Sequence, residues 1–263
     1  MVRVNSQLRY GIKRIATAAL KALGCEVRRL KELPPRMPGI RHADVLPLAT
    51  YSPWLGDEEF QNVYELIKHN TLVDQYRCYE LWQLVAEAGK LVGGDLIEVG
   101  VWRGGTGALI ASKCQMIGLQ GEVYLCDTFR GVVKAGSRDA GYLGGEHADT
   151  SKAAVTGLCD RLNLKHVRIL EGIFPEESGE SLAERRFRFC HIDVDAYQSA
   201  NDIVQWLWPR LLPGGIIIYD DYGFYNCAGI TGFVNEERRK TDRVVIHNLN
   251  GHAIVIKVPG GAM

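Results

Sequence analysis

The chain has 263 residues, a formal net charge of zero at pH 7 and a hydrophobic content of 46%, which suits one large α/β domain with an N-terminal extension. A neutral chain produces no overall field that favours nucleic acid, and no apolar run approaches the roughly 18 residues of a membrane span, so we expect neither nucleic-acid binding nor stable membrane insertion. The seven cysteines are scattered without a Cys-x-x-Cys pair, which predicts buried, reduced thiols in a cytoplasmic protein.

Residues 1–40 differ from the rest of the chain. The first 31 residues carry eight lysines and arginines and no acid before Glu26. Ile12, Ile15, Ala19 and Leu23 recur at helical spacing, which predicts a basic amphipathic helix. Packing on the domain or on a second subunit is the role we favour, and we expect a homo-oligomer; a membrane-surface helix and a targeting peptide are the alternatives. A Pro-rich linker follows at 33–39.

Residues 41–92 are predicted to form a helical cover over the remaining domain. Two apolar stripes within residues 57–90 have helical periodicity, one from Phe60 to Ile67 and one that begins after Asp74. Thr71 is a candidate N-cap for the second helix. The side chains of Tyr76 and Arg77 are candidates to reach a ligand, and packing with a surface salt bridge is an equally expected role for them.

From residue 93 onward, strands and helices alternate. Predicted strands cover 95–100, 122–127, 167–171, 187–193 and 216–220, and predicted helices cover 105–117, 151–163, 199–211 and 226–240. A turn at Pro213-Gly214-Gly215 is predicted to open the fifth strand. The dipeptide Asn250-Gly251 predicts a hairpin between strands 244–247 and 253–256. Such units predict a mainly parallel sheet over residues 93–263 with an antiparallel last strand.

A Gly-rich turn follows the first predicted strand, from Glu98 to Gly107. A phosphate loop would need a lysine after Gly105, where Thr106 stands, and a dinucleotide turn would need glycine at Trp102. A strand that ends in Glu-x-Gly before a turn of small residues is typical of the first motif of S-adenosylmethionine (SAM) methyltransferases. We therefore interpret the turn as a SAM site; a Gly-rich connection without a ligand is the alternative.

Acidic residues end several of the predicted strands, and ligands of such sheets bind beyond the carboxyl ends of the strands. Asp127 is expected to accept hydrogen bonds from ribose hydroxyls, and Gly172 and Phe174 to wall the adenine. Asp193, Asp195, Asp220 and Asp221 form a second group. Crowded carboxylates repel one another unless a cation or a proton intervenes, and hard oxygen ligands predict Mg²⁺, with Mn²⁺ or Ca²⁺ as alternatives. Acids that cap helices without an ion would also explain this group.

Four segments, at 96–105, 127–129, 191–197 and 214–222, resemble the TylF/MycF/NovP family of macrocin-type sugar O-methyltransferases. The resemblance covers about residues 70–258, and its specific part is Asp-x-Asp-x-Tyr followed by Asp-Asp-Tyr. It implies the class I SAM-methyltransferase fold of seven strands, the cofactors SAM and Mg²⁺, and methylation of a (deoxy)sugar hydroxyl on a glycosylated natural product. Asp193, Asp220 and Asp221 match the metal ligands, and Asp193 also the general base. Residues 132–150 depart from the pattern, which leaves the acceptor open.

The predicted site has two groups of residues besides the metal ligands. The SAM contacts are Glu98, Gly100, Val101, Trp102, Thr106, Asp127, Thr128, Gly172, Phe174 and Asp193. The candidate acceptor contacts are His147, Tyr197 and Tyr222, with His147 as a second candidate base behind Asp193. Two other functions stay open: a metal-dependent methyltransferase for a catechol or small phenol, and a non-catalytic SAM-binding interaction protein.

Overall fold

The computed structural model describes residues 20, 32–34, 38–45 and 48–259. The predicted basic helix lies outside the described residues except for Leu20, so its role stays a prediction. Two short strands, β1 (Glu32–Leu33) and β2 (His42–Ala43), pair antiparallel around the predicted linker. A single 3-10 turn at Pro53–Leu55 then leads into the cover.

Two helices form the cover, α1 (Glu58–Ile67) and α2 (Gln75–Ala88). The helices begin at aspartates, because the side chains of Asp57 and Asp74 accept hydrogen bonds from backbone N–H groups of the first turn. The prediction that Thr71 caps α2 is wrong. The Thr71 hydroxyl instead accepts from the backbone N–H of Val73 at 3.0 Å, within the connecting turn.

The domain is built on a seven-stranded sheet. Its strands lie in the order β5 (Val167–Glu171), β4 (Val123–Asp127), β3 (Asp95–Val99), β6 (Phe187–Ile192), β7 (Leu211–Tyr219), β9 (Ala253–Lys257) and β8 (Arg243–His247). The first five are parallel, and β9 runs antiparallel to both of its neighbours. This confirms the predicted α/β sheet with its antiparallel last strand and the hairpin at Asn250-Gly251.

Helices cover both faces of the sheet. They are α3 (Gly105–Met116), α4 (Lys152–Arg161), α5 (Tyr197–Leu207) and α6 (Ala228–Glu237), together with the two helices of the cover. The core on the side of α1–α4 contains Trp82, Leu109 and Phe189. The core on the side of α5 and α6 contains Ile203 and Phe233. Three layers therefore fix the strand ends between two packed cores.

Some predicted boundaries were wrong. Strand β7 starts at Leu211, which pairs with Phe187, and the next pair is Ile216 with Phe189, so the predicted turn at 213–215 is a register shift inside the strand. Helix α5 ends at Leu207, because a 3-10 turn that contains Pro209 follows it.

Two expectations about composition can be checked over the described residues. The six cysteines there are all buried and free, as predicted; they are Cys78, Cys114, Cys126, Cys159, Cys190 and Cys227. No helix in this part of the chain is long and apolar enough to cross a bilayer.

Candidate active site

A cavity opens at the carboxyl ends of the parallel strands, beside the segment that joins α1 to α2. It encloses about 1080 Å³, a volume that includes the open solvent at its mouth. The predicted residues on its wall are Gly100, Val101, Trp102, Thr106, Asp127, Thr128, His147, Gly172, Phe174, Asp193, Asp220 and Asp221. The cavity therefore brings most of the predicted site residues together on one wall.

The Gly-rich turn after β3 is held by Asp127 from the end of β4. One carboxylate oxygen, Oδ2, accepts from the backbone N–H groups of Val101 and Trp102 at 2.7 and 2.8 Å. The other oxygen, Oδ1, accepts from the N–H of Phe129 at 2.6 Å. A carboxylate has about four acceptor sites, so Asp127 fixes the turn and retains capacity for the hydroxyls of a ligand.

Two glycines of this turn are required by close contacts. Gly100 has a φ of +85°, and a Cβ atom there would lie 1.7 Å from the carbonyl oxygen of Asp193. Gly105, the first residue of α3, donates its N–H to the carbonyl of Asn70 at 2.9 Å, and a Cβ atom would lie 2.7 Å from that oxygen. The turn therefore touches both the end of β6 and the cover.

Glu98, a predicted SAM contact, does not lie on the cavity wall. It is fully buried, on the face of the sheet opposite to Val99, and its Oε1 lies 2.7 Å from Nδ1 of His191. Successive side chains of a strand point to opposite faces, and the neighbouring Val99 lines the cavity instead. The structure thus corrects this assignment and gives Glu98 a place beneath the cover.

Two predicted acceptor contacts, Tyr197 and Tyr222, also lie outside the cavity wall. The Tyr197 hydroxyl donates to Glu236 at 2.6 Å, and the Tyr222 hydroxyl donates to Asn235 at 2.8 Å. Both partners are on α6, so Tyr197 connects the start of α5 to that helix, and Tyr222 connects the segment after β7 to it. His147, by contrast, lies on the wall.

The loop at 130–150 includes the stretch 132–150 that departs from the family pattern, and it contributes Tyr142 to the cavity wall. The ring of Tyr142 lies 6.2 Å from that of His147, which lies 6.5 Å from that of Trp102. Burial and then the nearby charge of Asp195 raise the pKa of Tyr142, so its hydroxyl, which lies 3.8 Å from Sγ of Cys227, stays protonated. Sequence reasoning missed Tyr142, since a lone tyrosine in an unaligned loop carries no signal.

Three aspartates meet at the far side of the cavity. Oxygen atoms of Asp193, Asp220 and Asp221 lie within 4.8 Å of one another. Burial, and then the charges of Asp220, Asp221 and Asp195, raise the pKa of Asp193 well above its usual value. Burial, and then the charges of Asp220 and Asp195, do the same for Asp221. This crowded set of hard oxygen donors fits a divalent cation such as Mg²⁺.

Asp220 differs from the other two acids because two cationic groups face it. Its Oδ1 lies 2.5 Å from Nη1 of Arg77 and 2.9 Å from Nε2 of His252. Burial would raise the pKa of Asp220, but the hydrogen bond and charge of His252 and the charge of Arg77 outweigh it and hold the pKa below its usual range. From the sequence, Arg77 was expected either to reach a ligand or to form a surface salt bridge; it lies on the cavity wall, and its buried pair with Asp220 was not predicted. Nothing in the pattern pointed to His252.

These features define a class I methyltransferase fold, with a Gly-rich turn after its first parallel strand and an acidic rim beyond β6 and β7. The chain belongs to the macrocin-O-methyltransferase (TylF) family, whose model matches residues 67–250. The family predicted from the sequence is therefore confirmed, and the match includes the turn and all three aspartates of the rim.

Three curated relatives are O-methyltransferases of natural products. Demethyldecarbamoylnovobiocin O-methyltransferase of Streptomyces niveus is 31% identical over 66% of this chain and 69% of its own. Mycinamicin III 3''-O-methyltransferase of Micromonospora griseorubida is 28% identical over 69% and 76%. A tetracenomycin-C 4'-O-methyltransferase of Streptomyces olivaceus, which acts on a dimethoxy-rhamnosyl compound, is 32% identical over 52% of this chain. The alignment spans only 56% of that enzyme.

Two solved structures share the fold. The O-methyltransferase NovP superposes with a TM-score of 0.63 at 24% identity, over 72% of this chain and 83% of its own. The calicheamicin methyltransferase CalS11 superposes with a TM-score of 0.56 at 17% identity, over 81% and 97%. At these identities the likeness establishes the architecture.

Proposed function

We propose that this protein is a SAM- and Mg²⁺-dependent O-methyltransferase that methylates a (deoxy)sugar hydroxyl of a glycosylated natural product. The observation that carries the proposal is the shared cavity, in which a cofactor turn faces three convergent aspartates. The names of the curated relatives, which are O-methyltransferases of natural products, support the same class of acceptor. A homo-oligomer in the cytoplasm is part of the proposal, and its mass in solution would test the assembly.

The cofactor half of the cavity would hold SAM through the turn and the ends of β4 and β5. The backbone at Gly100 and Val101 is fixed by Asp127, whose remaining acceptor capacity suits ribose hydroxyls. Gly172 and Phe174 would flank the adenine. SAM supplies an activated methyl group on its sulfonium, so the protein has to bind, orient and exclude water.

Asp193, Asp220 and Asp221 would hold the metal ion. When bound, Mg²⁺ acts as a Lewis acid that lowers the pKa of a hydroxyl and aligns neighbouring oxygens. Asp193 would also receive the proton of the acceptor hydroxyl on its carboxylate. The reacting oxygen has to lie in line with the methyl carbon, at about 3–3.5 Å.

The acceptor would enter beneath the loop at 130–150. Tyr142, His147 and Trp102 place three rings along the cavity wall beside the acids. Rings can pack against the apolar face of a sugar while the acids bind its hydroxyls. This arrangement suits a glycoside, whose polar and apolar surfaces alternate. The names of the curated relatives, and not the rings, favour a glycoside over a flat phenol.

The test is a methylation assay read by mass spectrometry. The protein is incubated with SAM, Mg²⁺ and one of three acceptors: a deoxysugar glycoside, its aglycone, or a catechol. We expect one added methyl group on the glycoside alone, loss of the activity with EDTA, and recovery with Mg²⁺. Turnover of the catechol but not of the glycoside would move the protein to the small-phenol class. Calorimetric SAM binding without turnover of any diol would favour an interaction protein.

A further inference from the structure

Five ionisable side chains form a chain of polar contacts that runs from helix α2 to the acidic rim and back. Arg77 Nε donates to Asp74 at 2.8 Å, and Arg77 Nη1 donates to Asp220 Oδ1 at 2.5 Å. Nε2 of His252 lies 2.9 Å from the same oxygen, and Nδ1 of His252 lies 2.6 Å from Glu80. Arg77, Asp220 and His252 are almost fully buried, so the chain has little contact with water.

The fold explains how this series of polar contacts returns to helix α2. Arg77 and Glu80 are three residues apart on α2, which places them on one side of the helix. Asp220 follows the last residue of β7 and His252 precedes the first residue of β9, and these two strands pair with Tyr219 opposite Ala253. Two strand ends and one face of the cover therefore meet at a single carboxylate.

Both contacts of Asp220 fall on one oxygen. Arg77 and His252 approach Oδ1, and Oδ2 lies outside these two contacts. A carboxylate held through one oxygen cannot rotate freely about its last bond, so the direction of its second oxygen is fixed as well. Asp193 has no ion pair among the described residues, and Asp221 has only a longer one, with Nη1 of Arg77 at 4.0 Å. Asp220 is therefore the member of the rim that is held most closely.

We infer that His252 and Glu80 are positioning residues, which hold the Asp220 carboxylate in the orientation that binds the divalent cation. The inference rests on the proposed function, because it takes Asp220 as a metal ligand. Ligating carboxylates are themselves commonly hydrogen-bonded, and loss of such a partner typically costs about 10–100-fold in metal affinity. Glu80 acts one step further out, since it fixes the ring of His252.

The experiment measures Mn²⁺ binding to the full chain by electron paramagnetic resonance of the free ion, which needs no turnover. His252→Leu removes the hydrogen bond to Glu80 and the ion-pair contact with Asp220 at similar size, and His252→Gln keeps an N–H donor near the position of Nε2. We expect His252→Leu to weaken Mn²⁺ binding by about 10–100-fold and His252→Gln to retain most of the affinity. Glu87→Gln, at an exposed site on the same helix, is the matched control and should bind Mn²⁺ like the wild type.

Binding of S-adenosylhomocysteine, measured by calorimetry, checks that each variant keeps the cofactor half of the site. Should His252→Leu lose that binding too, Glu80→Ala replaces it, because the Glu80 side chain is 21% exposed and can be shortened with less effect on the core. We expect Glu80→Ala to weaken Mn²⁺ binding in the same direction and by a smaller factor.

Three results would overturn the inference. Wild-type Mn²⁺ affinity in the variant that keeps the cofactor site would show that Asp220 needs no support. Equally tighter binding in His252→Leu and His252→Gln would show that His252 acts through its charge and not through position. A wild-type protein that binds no Mn²⁺ would remove the proposed metal site itself, an outcome distinct from the first two.

Discussion

The turn after β3 and the acidic rim beyond β6 and β7 face the same cavity, yet their charges are balanced differently. In the turn, Asp127 has three backbone N–H partners within 2.8 Å, so its charge is satisfied inside the protein. In the rim, Asp193 and Asp221 face other acids, and their pKa values are raised. The carboxylate of the turn therefore has its hydrogen-bond partners without a ligand, whereas Asp193 and Asp221 of the rim need a proton or a cation to balance their charge.

This difference indicates that the turn positions a bound molecule and that the acidic rim is where the chemistry takes place. A region whose hydrogen bonds close on themselves is rigid and can orient a bound molecule. A region with crowded carboxylates gains stability only when a cation or a proton arrives, which makes it the candidate for metal binding and proton transfer. Asp220 combines both features, since its partners Arg77 and His252 are internal while its neighbours are acids.

The sharpest test of this division is Asp193→Asn. It removes the proposed proton acceptor and a charged metal ligand, so we expect kcat to fall by about 10²–10⁴-fold. The affinity for S-adenosylhomocysteine should stay near that of the wild type, because the cofactor half is held by other groups. Steady-state kinetics and calorimetry measure the two quantities. Equal losses in both would show that Asp193 belongs to the cofactor half.

Gly100→Ala should affect the other region, because it changes the Gly-rich turn that would position the cofactor. The residue has a φ of +85°, and the added Cβ would lie 1.7 Å from the Asp193 carbonyl oxygen. The strained backbone alone costs about 1–3 kcal/mol in the free energy of unfolding, and relief of the overlap has to move the turn. We expect a lower Tm and weaker S-adenosylhomocysteine binding. Gly144→Ala, at an open position of the loop with a similar positive φ, controls for strain without the overlap.

The pH dependence of stability follows from the raised pKa values of Asp193 and Asp221. A carboxyl group with a raised folded-state pKa stabilises the fold while it is protonated, and this contribution is lost as the pH rises from the unfolded value of about 3.9 through the folded value. A bound cation replaces the proton. The increase in Tm caused by Mg²⁺ should therefore grow as the pH rises. Asp193→Asn should reduce that increase, and a Tm increase that does not change with pH would contradict the role of these acids.

The sequence predicted the parts of the molecule that depend on short patterns. Alternating apolar runs and Gly-rich turns predicted the sheet, its strand ends and the antiparallel hairpin, and strand-end acids predicted the rim. Groups that meet across long separations were not predicted. Glu80 and His252 are 172 residues apart, and each looks like an ordinary surface residue in its own segment. The expectation for Glu98 was wrong for a different reason. Successive side chains of a strand point to opposite faces, so Glu98 lies on the face opposite to Val99.

The smallest effect is expected at Tyr197, where the pattern suggested an acceptor contact and the structure places a link to α6. Tyr197→Phe removes the hydrogen bond to Glu236 and keeps the ring over which Arg138 lies at 4.1 Å. We expect a loss of about 0.5–1.5 kcal/mol in unfolding free energy at most, and an unchanged KM for the acceptor. His147→Ala, on the cavity wall, should raise that KM. If Tyr197→Phe raised KM and His147→Ala did not, the acceptor would lie towards α6 and not under the loop at 130–150.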